Sequence, residues 1–375
     1  MEKRAFSFGV GVDPDWRRAA GQCIHAITHG PSNNGLGFLY ATNDFGTELD
    51  SVIGFLRQET GVEHWVGALS DAICAGDQEI YTGPAMAALV TDLQPEQYRL
   101  LPNITDSVQS ALSSTREWRV SHGMSLGVVH GDPRNPRVPD LLTSLGDRLG
   151  NGFLVGGLCV GEAQDQQLAD HASNGGLSGV LLGSDVPVYT SHTQGCALIG
   201  KRRVVTEADR NIIVSIDGKR ALEVFREDIG ELLARDLSKI GGYIFAALPL
   251  PGSDTGDYMV RNLLGIDEGN GLLAVGDYVL AGQSIQFARR DTASAVADLD
   301  RMLSGLGRRV GSQGVRGALY HTCLGRGRHQ FGPDSRELKQ IQKALGDIPL
   351  VGMFANGEIY HQRLYGYTGV LTLLG

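Results

Sequence analysis

A chain of 375 residues with 42% apolar and 20% charged positions can form two domains with substantial cores, and its composition excludes a disordered or fibrous protein. Its formal net charge of −9 excludes nucleic acid as a partner, because the basic clusters are confined to Lys201-Arg202-Arg203 and Arg308-Arg309. Five cysteines (Cys23, Cys74, Cys159, Cys196, Cys323), odd in number and never spaced C-x-x-C, argue for a reducing compartment and against structural zinc.

The first residues carry no apolar core of signal-peptide length, and no apolar run approaches a membrane span. The expectation is a cytoplasmic protein without membrane insertion, in which the sequon at Asn103 is a chance match. A short helix is predicted from Trp16 to His29. One plan then recurs three times: an apolar run, an amphipathic helix, a second apolar run ending in Val-Gly, a Gly-rich polar loop, and a further apolar run. The first runs are 35–41, 124–131 and 317–323, and the Val-Gly pairs are Val66-Gly67, Val155-Gly156 and Val351-Gly352. A strand, crossover helix and strand in this span make a βαβ unit.

The three helices share start and stop chemistry. The first begins at Thr47 with Asp50 as capping partner, buries Leu49, Val52, Ile53 and Leu56, and ends at Gly61. The second opens near Pro139, buries Leu141, Leu142, Leu145 and Leu149, and stops at Gly150. The third starts at Asp334 with Glu337 as capping partner, presents Leu338, Ile341 and Leu345, and stops at Gly346. Between the second and third units, the polar stretch 201–211 reads as a boundary. After it come a strand at 211–216, a tight turn at Asp217-Gly218, an amphipathic helix over 220–237 through Leu222, Phe225, Ile229 and Leu232, and β segments at 243–250 and 283–289. The reading is an α/β protein with mixed β-sheets flanked by helices, built from repeated βαβ units. It divides into two domains, 35–205 and 210–375.

Three blocks in order, IDGKRALEVFREDIGE (216–231), VRNLLGIDEGNGLLAVGDYVLAGQSIQFARRD (260–291), and GALYHTCLGRGRHQFG through VGMFANGEI to YTGVLTL (317–373), resemble the C-terminal module of the FIST (F-box and intracellular signal transduction) domain. The N-terminal half is similar to the N-terminal module, through 35–90 and VGGLCVGEA (155–163). The resemblance implies a sensory protein, both modules binding a small polar ligand such as an amino acid. Relatives carry kinase, chemoreceptor or cyclase modules. Here no length remains for one, so the expected signalling partner acts in trans.

Ligands of parallel α/β units gather outside the carboxyl ends of the strands. That rule brings Cys323, Arg326 and Arg328 towards Asn356, Gly357 and Glu358, the predicted ligand-binding set. Arg offers a fork for a carboxylate, Glu a partner for an amine, and Asn and Gly orienting groups. The equivalent positions are Ser70, Asp71 and Cys74 in the first unit, and Asp132, Arg134 and Glu162 in the second, which read as water-facing loop residues. His321 and Cys323 share a strand face. Their pairing would suit a nucleophile, but a core histidine and a small buried thiol are the favoured reading. A hydrolase using Cys323 or a carboxylate, and a protein-binding adaptor, are the rival functions. The ten histidines lack metal-site spacing, and GCALIGKR (195–202) and GRGRHQFG (325–332) depart from phosphate-binding and dinucleotide patterns, so neither metal nor cofactor is expected.

Overall fold

The computed structural model describes residues 6–27, 35–150, 153–161, 166–237, 240–250, 258–312 and 314–375, leaving aside the side chain of Leu232. The repeat predicted from sequence is larger than a βαβ unit. Its first copy runs β1 (Ser7–Val12), α1 (Trp16–Ile27), β2 (Leu36–Thr42), α2 (Leu49–Thr60), β3 (His64–Ser70), a short hairpin of β4 (Ile73–Ala75) and β5 (Gln78–Ile80), and β6 (Ala85–Val90). The second has the same order: β7 (Tyr98–Ile104), α3 (Gln109–His122), β8 (Leu126–Gly131), α4 (Val138–Arg148), β9 (Leu154–Leu158), the hairpin β10 (Gln167–Ala169) and β11 (His171–Ser173), and β12 (Leu177–Leu182).

The third copy opens with β13 (Val188–Gln194) and is then interrupted. The insertion holds β14 (Cys196–Asp209), β15 (Ile212–Ile216), β16 (Lys219–Arg220), α5 (Ala221–Ile229), α6 (Glu231–Ala234), β17 (Ile244–Pro249), β18 (Tyr258–Asp267), β19 (Leu272–Val275) and β20 (Ser284–Arg290). The repeat resumes with α7 (Thr292–Val310), β21 (Gly317–Cys323), α8 (Arg328–Phe331), α9 (Arg336–Leu345), β22 (Leu350–Ala355), the hairpin β23 (Glu358–His361) and β24 (Arg363–Tyr365), and β25 (Thr368–Leu374).

Each repeat builds a sheet around its own parallel pair, β2–β3, β8–β9 or β21–β22. Each sheet is completed by a hairpin from another repeat. The orders are β1-β6-β2-β3-β10-β11, β24-β23-β9-β8-β12-β7 and β13-β25-β21-β22-β4-β5. Hairpin exchange therefore runs in a closed ring: the first repeat donates to the third, the third to the second, the second to the first. A three-residue hairpin strand cannot bury enough surface to stand alone, and docking on a neighbour's edge supplies its partner.

Strand periodicity separates two faces. Leu36, Phe38 and Tyr40 point into one core shared with Val128, Val155, Leu319, Val351 and Val370 from the other repeats. Leu39 and Ala41 point out, under α1 and α2. The second repeat does likewise, with Val129 and Leu181 under Leu141, Leu142 and Leu145 of α4.

The compact units follow this topology, so they differ from a 35–205 and 210–375 division. One unit joins 1–193 with 299–375, and the other is 194–298. The reason is the hairpin ring, which ties the third βαβ unit to the first two. In the second unit, β14-β20-β17-β18-β19-β15-β16 form an antiparallel sheet, and an added β14–β15 pairing closes six strands into a barrel. Phe225 of α5 and Phe287 of β20 meet in its core at 4.8 Å between ring centroids.

Several local expectations change. The polar stretch 201–211 is no linker: through Asp209 it belongs to β14, whose alternating exposure suits a barrel wall, and Arg210 and Asn211 turn into β15. Asp217 and Gly218 do form the tight turn, both at positive φ (49° and 76°). The helix over 220–237 breaks at Gly230 (φ 82°) into α5 and α6. A 3-10 turn over Asn43–Glu48 precedes α2, and Asp50 accepts from Ala172 N at 2.8 Å instead of capping. Gly61 does cap α2 in the left-handed conformation (φ 73°). The end of the helix predicted to reach His29 lies outside the described residues.

Candidate functional site

The fifth position counted from Leu36, Leu126 and Gly317 brings Tyr40, His130 and His321 together, all fully buried. Ring centroids lie 5.4, 5.5 and 5.5 Å apart, a near-equilateral triangle where the three repeats meet. Tyr40 Oη lies 3.1 Å from His130 Nε2 and 2.9 Å from His321 Nε2. A phenol donates one hydrogen bond, so one imidazole accepts at Nε2 and the other donates. The accepting ring carries its proton on Nδ1, and neither Nδ1 has a partner among the described residues. Burial pushes His321 down to about 3 and His130 well below its ordinary value, aided there by His321, so both rings are neutral. His321 is thus the core histidine expected from sequence, and its Nε2 is engaged by Tyr40 rather than by Cys323.

At the carboxyl edge of β21, Arg326 is completely buried. Its Nε and Nη2 donate to Glu337 Oε1 at 2.9 and 2.6 Å, and Nη1 donates to the carbonyls of Tyr367 (3.4 Å) and Thr193 (3.5 Å). Glu337 also accepts from Tyr320 Oη (2.6 Å) and Gly327 N (2.9 Å). Glu337 is therefore no helix cap; Ser335 precedes α9 without a side-chain cap, and Glu337 turns inward to organise the 325–331 loop. Burial disfavours the charge on Arg326, but Glu337 and its other neighbours outweigh that and raise its pKa. The fork expected to hold a ligand carboxylate is occupied by a protein carboxylate.

Glu358 opens β23 and is fully buried. Its Oε2 accepts from Thr368 N (3.0 Å) and Oγ1 (2.7 Å), while Oε1 has no hydrogen-bonding partner among the described residues. Burial raises this carboxyl to about 7, against the opposing influence of Thr368, Arg326 and Cys323. Cys323 is half-buried, accepts from Gly325 N at 3.4 Å, and has its thiol raised by burial and by the Glu358 charge. That is the reverse of an activated nucleophile. Cys323, Arg326 and Glu358 thus form one neighbourhood.

Arg328 does not join it. It is exposed and stacks 4.1 Å over the ring of Tyr81, beside Glu79. Tyr81 Oη donates to Glu79 Oε2 (2.9 Å) and accepts from Arg328 N (3.0 Å). Glu79 is raised to about 7 by burial and by the charge of Glu337. Asn356 is exposed, and its N–H donates to Leu158 O (3.0 Å), while Gly357 O accepts from Leu158 N (2.9 Å). Those main-chain groups extend the β23–β9 pairing. Sequence reasoning missed Glu79 and Tyr81, because a hairpin borrowed from far along the chain (Tyr81 and Arg328 are 247 positions apart) leaves no local signal, and it misassigned Glu337, whose place in the first turn of α9 reads as a cap.

The equivalent edges are already filled. Ser70 Oγ donates to Phe354 O, Cys74 is buried in β4, and Asp71 accepts from Asn43 Nδ2 at 2.7 Å. Asp132 is nearly fully buried and bound by the Arg134 fork (2.6 to 3.1 Å) and by Gly175 N (2.8 Å). Burial opposes its charge, but these donors win and hold it below the usual carboxylate range. Glu162 lies outside the described residues. Among the described residues, no group of three or more His, Cys, Asp and Glu could hold a metal ion.

Family models match along nearly the whole chain: the FIST N domain over residues 35–219 and the FIST C domain over 221–361. The chain belongs to the FIST family. It is 30% identical to an uncharacterized protein of Mycobacterium tuberculosis strain H37Rv, over 97% of this chain and 98% of the relative. It is 31% identical to an uncharacterized protein of Mycobacterium bovis, with the same coverage. FIST domains are generally signal-transduction sensory domains. Neither FIST match is a closed body by itself. FIST N contributes β14, β15 and β16 to a barrel completed by FIST C, and FIST C contributes β23 to the sheet of the second repeat. No described helix is long and apolar enough to cross a membrane.

Proposed function

We propose that this FIST protein is a sensor that binds a small polar ligand at the carboxyl edge of β21 and β22 and signals to a partner in trans, of kinase, chemoreceptor or cyclase type. The observation that carries the reading is Glu358: a fully buried carboxyl with one oxygen lacking a partner among the described residues, beside the half-buried Cys323. A buried acceptor left open is costly unless something fills it. A ligand ammonium suits Glu358, and the exposed Arg328 and Asn356 are the groups available to a ligand carboxylate or amide. Arg326 and Glu337 frame the loop. A hydrolase reading gains nothing from Cys323, whose thiol is raised and whose strand neighbour His321 is committed to Tyr40.

The test is a thermal-shift screen against amino acids, organic acids and nucleotides, repeated with Glu358→Gln and Arg328→Ala. A ligand at about 100 times its Kd stabilises the fold by roughly 2.7 kcal/mol. A shift lost in Glu358→Gln supports this edge as the site. A shift retained in both variants removes it.

A further inference from the structure

The three repeats give one strand position three different side chains. The residue after each Val-Gly pair is Ala68, Gly157 or Met353, and facing it on the incoming hairpin are Gln167, Glu358 and Ile73. Gln167 and Glu358 therefore occupy one place in the architecture, and both are fully buried. Gln167 Oε1 accepts from Gly176 N (3.3 Å), while its Nε2 donates to the carbonyls of His130 (2.7 Å) and Gly176 (2.8 Å). Glu358 repeats the first half: Oε2 accepts from Thr368 N, and Thr368 precedes Gly369 on β25 as Gly176 precedes Leu177 on β12. Gly131 and Thr322, the partners of Leu177 and Gly369, directly follow His130 and His321. Glu358 Oε1 stands where Gln167 carries a donor.

We propose that Glu358 is a proton-binding site, held as a neutral carboxylic acid whose Oε1 gives its single O–H to a main-chain carbonyl of His321 or Thr368, in the place where Gln167 Nε2 donates to His130 and Gly176 in the second repeat. On titration this O–H bond breaks, the proton passes to solvent, and the remaining carboxylate faces acceptors where it had donated. The groups facing Glu358 fit this. β21 offers the Cys323 thiol, and the following loop offers Arg326, already matched by Glu337 of α9. β24 contributes Tyr365, the cross-strand partner of Glu358, with His192 of β13 against it at 5.2 Å. β9 contributes only Gly157, and β25 contributes Thr368, a hydroxyl donor. A proton is then the resident occupant of this edge in the ligand-free protein, and an ammonium ligand would bind the carboxylate left when it departs. Burial, which lifts the carboxyl to about 7, puts the exchange near neutrality.

The test uses ligand-free protein. Unfolding midpoints of wild type and Glu358→Gln are compared from about pH 5 to about pH 8. The glutamine keeps both halves of the contact, so its advantage over wild type should grow as pH rises; a pH-independent difference overturns the proposal. Infrared spectra supply a readout independent of folding energetics. Glu79, also raised, is silenced by Glu79→Gln, and the protonated-carboxyl band of that protein near pH 6 should vanish in the double variant with Glu358→Gln. A band unchanged by Glu358→Gln overturns the proposal directly.

Discussion

Arg326 shows how a residue can be visible in sequence and still be misassigned. Its position after β21 marked it as a site residue, and it does lie beside Glu358 and Cys323. Its partner Glu337 looked like a cap, because a Glu in a first helical turn has that meaning in most sequences. Only the buried loop reveals the pairing. Removing one partner strands a charge, so Arg326→Ala should cost about 3–5 kcal/mol in urea unfolding. Arg326→Met combined with Glu337→Met should cost less than either single change; equal or additive losses would contradict a paired site. Tyr40 offers a second test. Tyr40→Phe leaves two buried Nε2 atoms without their shared hydroxyl, and should cost about 1–3 kcal/mol, read as a lower urea midpoint.

Among the elements, the Val-Gly pairs were the strongest signal, and the structure explains their glycines. A Cβ at Gly67, Gly156 or Gly352 would lie 1.7, 1.8 or 1.8 Å from the carbonyl oxygen of Leu39, Val129 or Tyr320. The second strand of each parallel pair thus runs against the first too closely for any side chain. Gly352→Ala should therefore lower stability by about 1–3 kcal/mol, since backbone must shift; a variant melting with wild type would mean that the strands separate easily. Helix faces were equally legible: Leu141, Leu142 and Leu145 are buried as their spacing requires. The hairpins were not, since three residues carry too little pattern to name a partner strand.

At the scale of the whole molecule, the hairpin ring predicts that residues 210–375 alone will not fold. That fragment lacks the β4–β5 hairpin, and its β23 has no β9 to pair with. Its unfolding by circular dichroism should show no cooperative transition; a sharp one would refute the ring as a requirement. Buried titratable groups also set a pH profile. Glu79 and Glu358, raised to about 7, lend stability that is complete below their unfolded pKa, about 4.3, and is lost as pH rises through about 7. His130 and His321, depressed, lend stability that is complete above about 6.5 and falls away towards acid, through about 3 for His321. The urea midpoint should peak in weak acid, about pH 5 to 6, and decline on both sides. A midpoint still climbing from about pH 6 to about pH 8 would count against the raised carboxyls.

The sequence by itself determined the family, the α/β class, the three βαβ units and the faces their helices bury, because periodicity and glycine punctuation are local consequences of backbone geometry. It also pointed to the edge where Cys323, Arg326 and Glu358 gather, through the general position of strand ends. Tertiary structure alone decided which repeat each hairpin completes, where the barrel interrupts the third repeat, and which carboxylate holds Arg326. The hairpins pair with strands far along the chain, Met353 with Ile73 for one, and even Arg326 and Glu337, 11 positions apart, meet only because the loop between them folds inward. Those outcomes are fixed by burial and hydrogen-bond satisfaction, which no local pattern encodes.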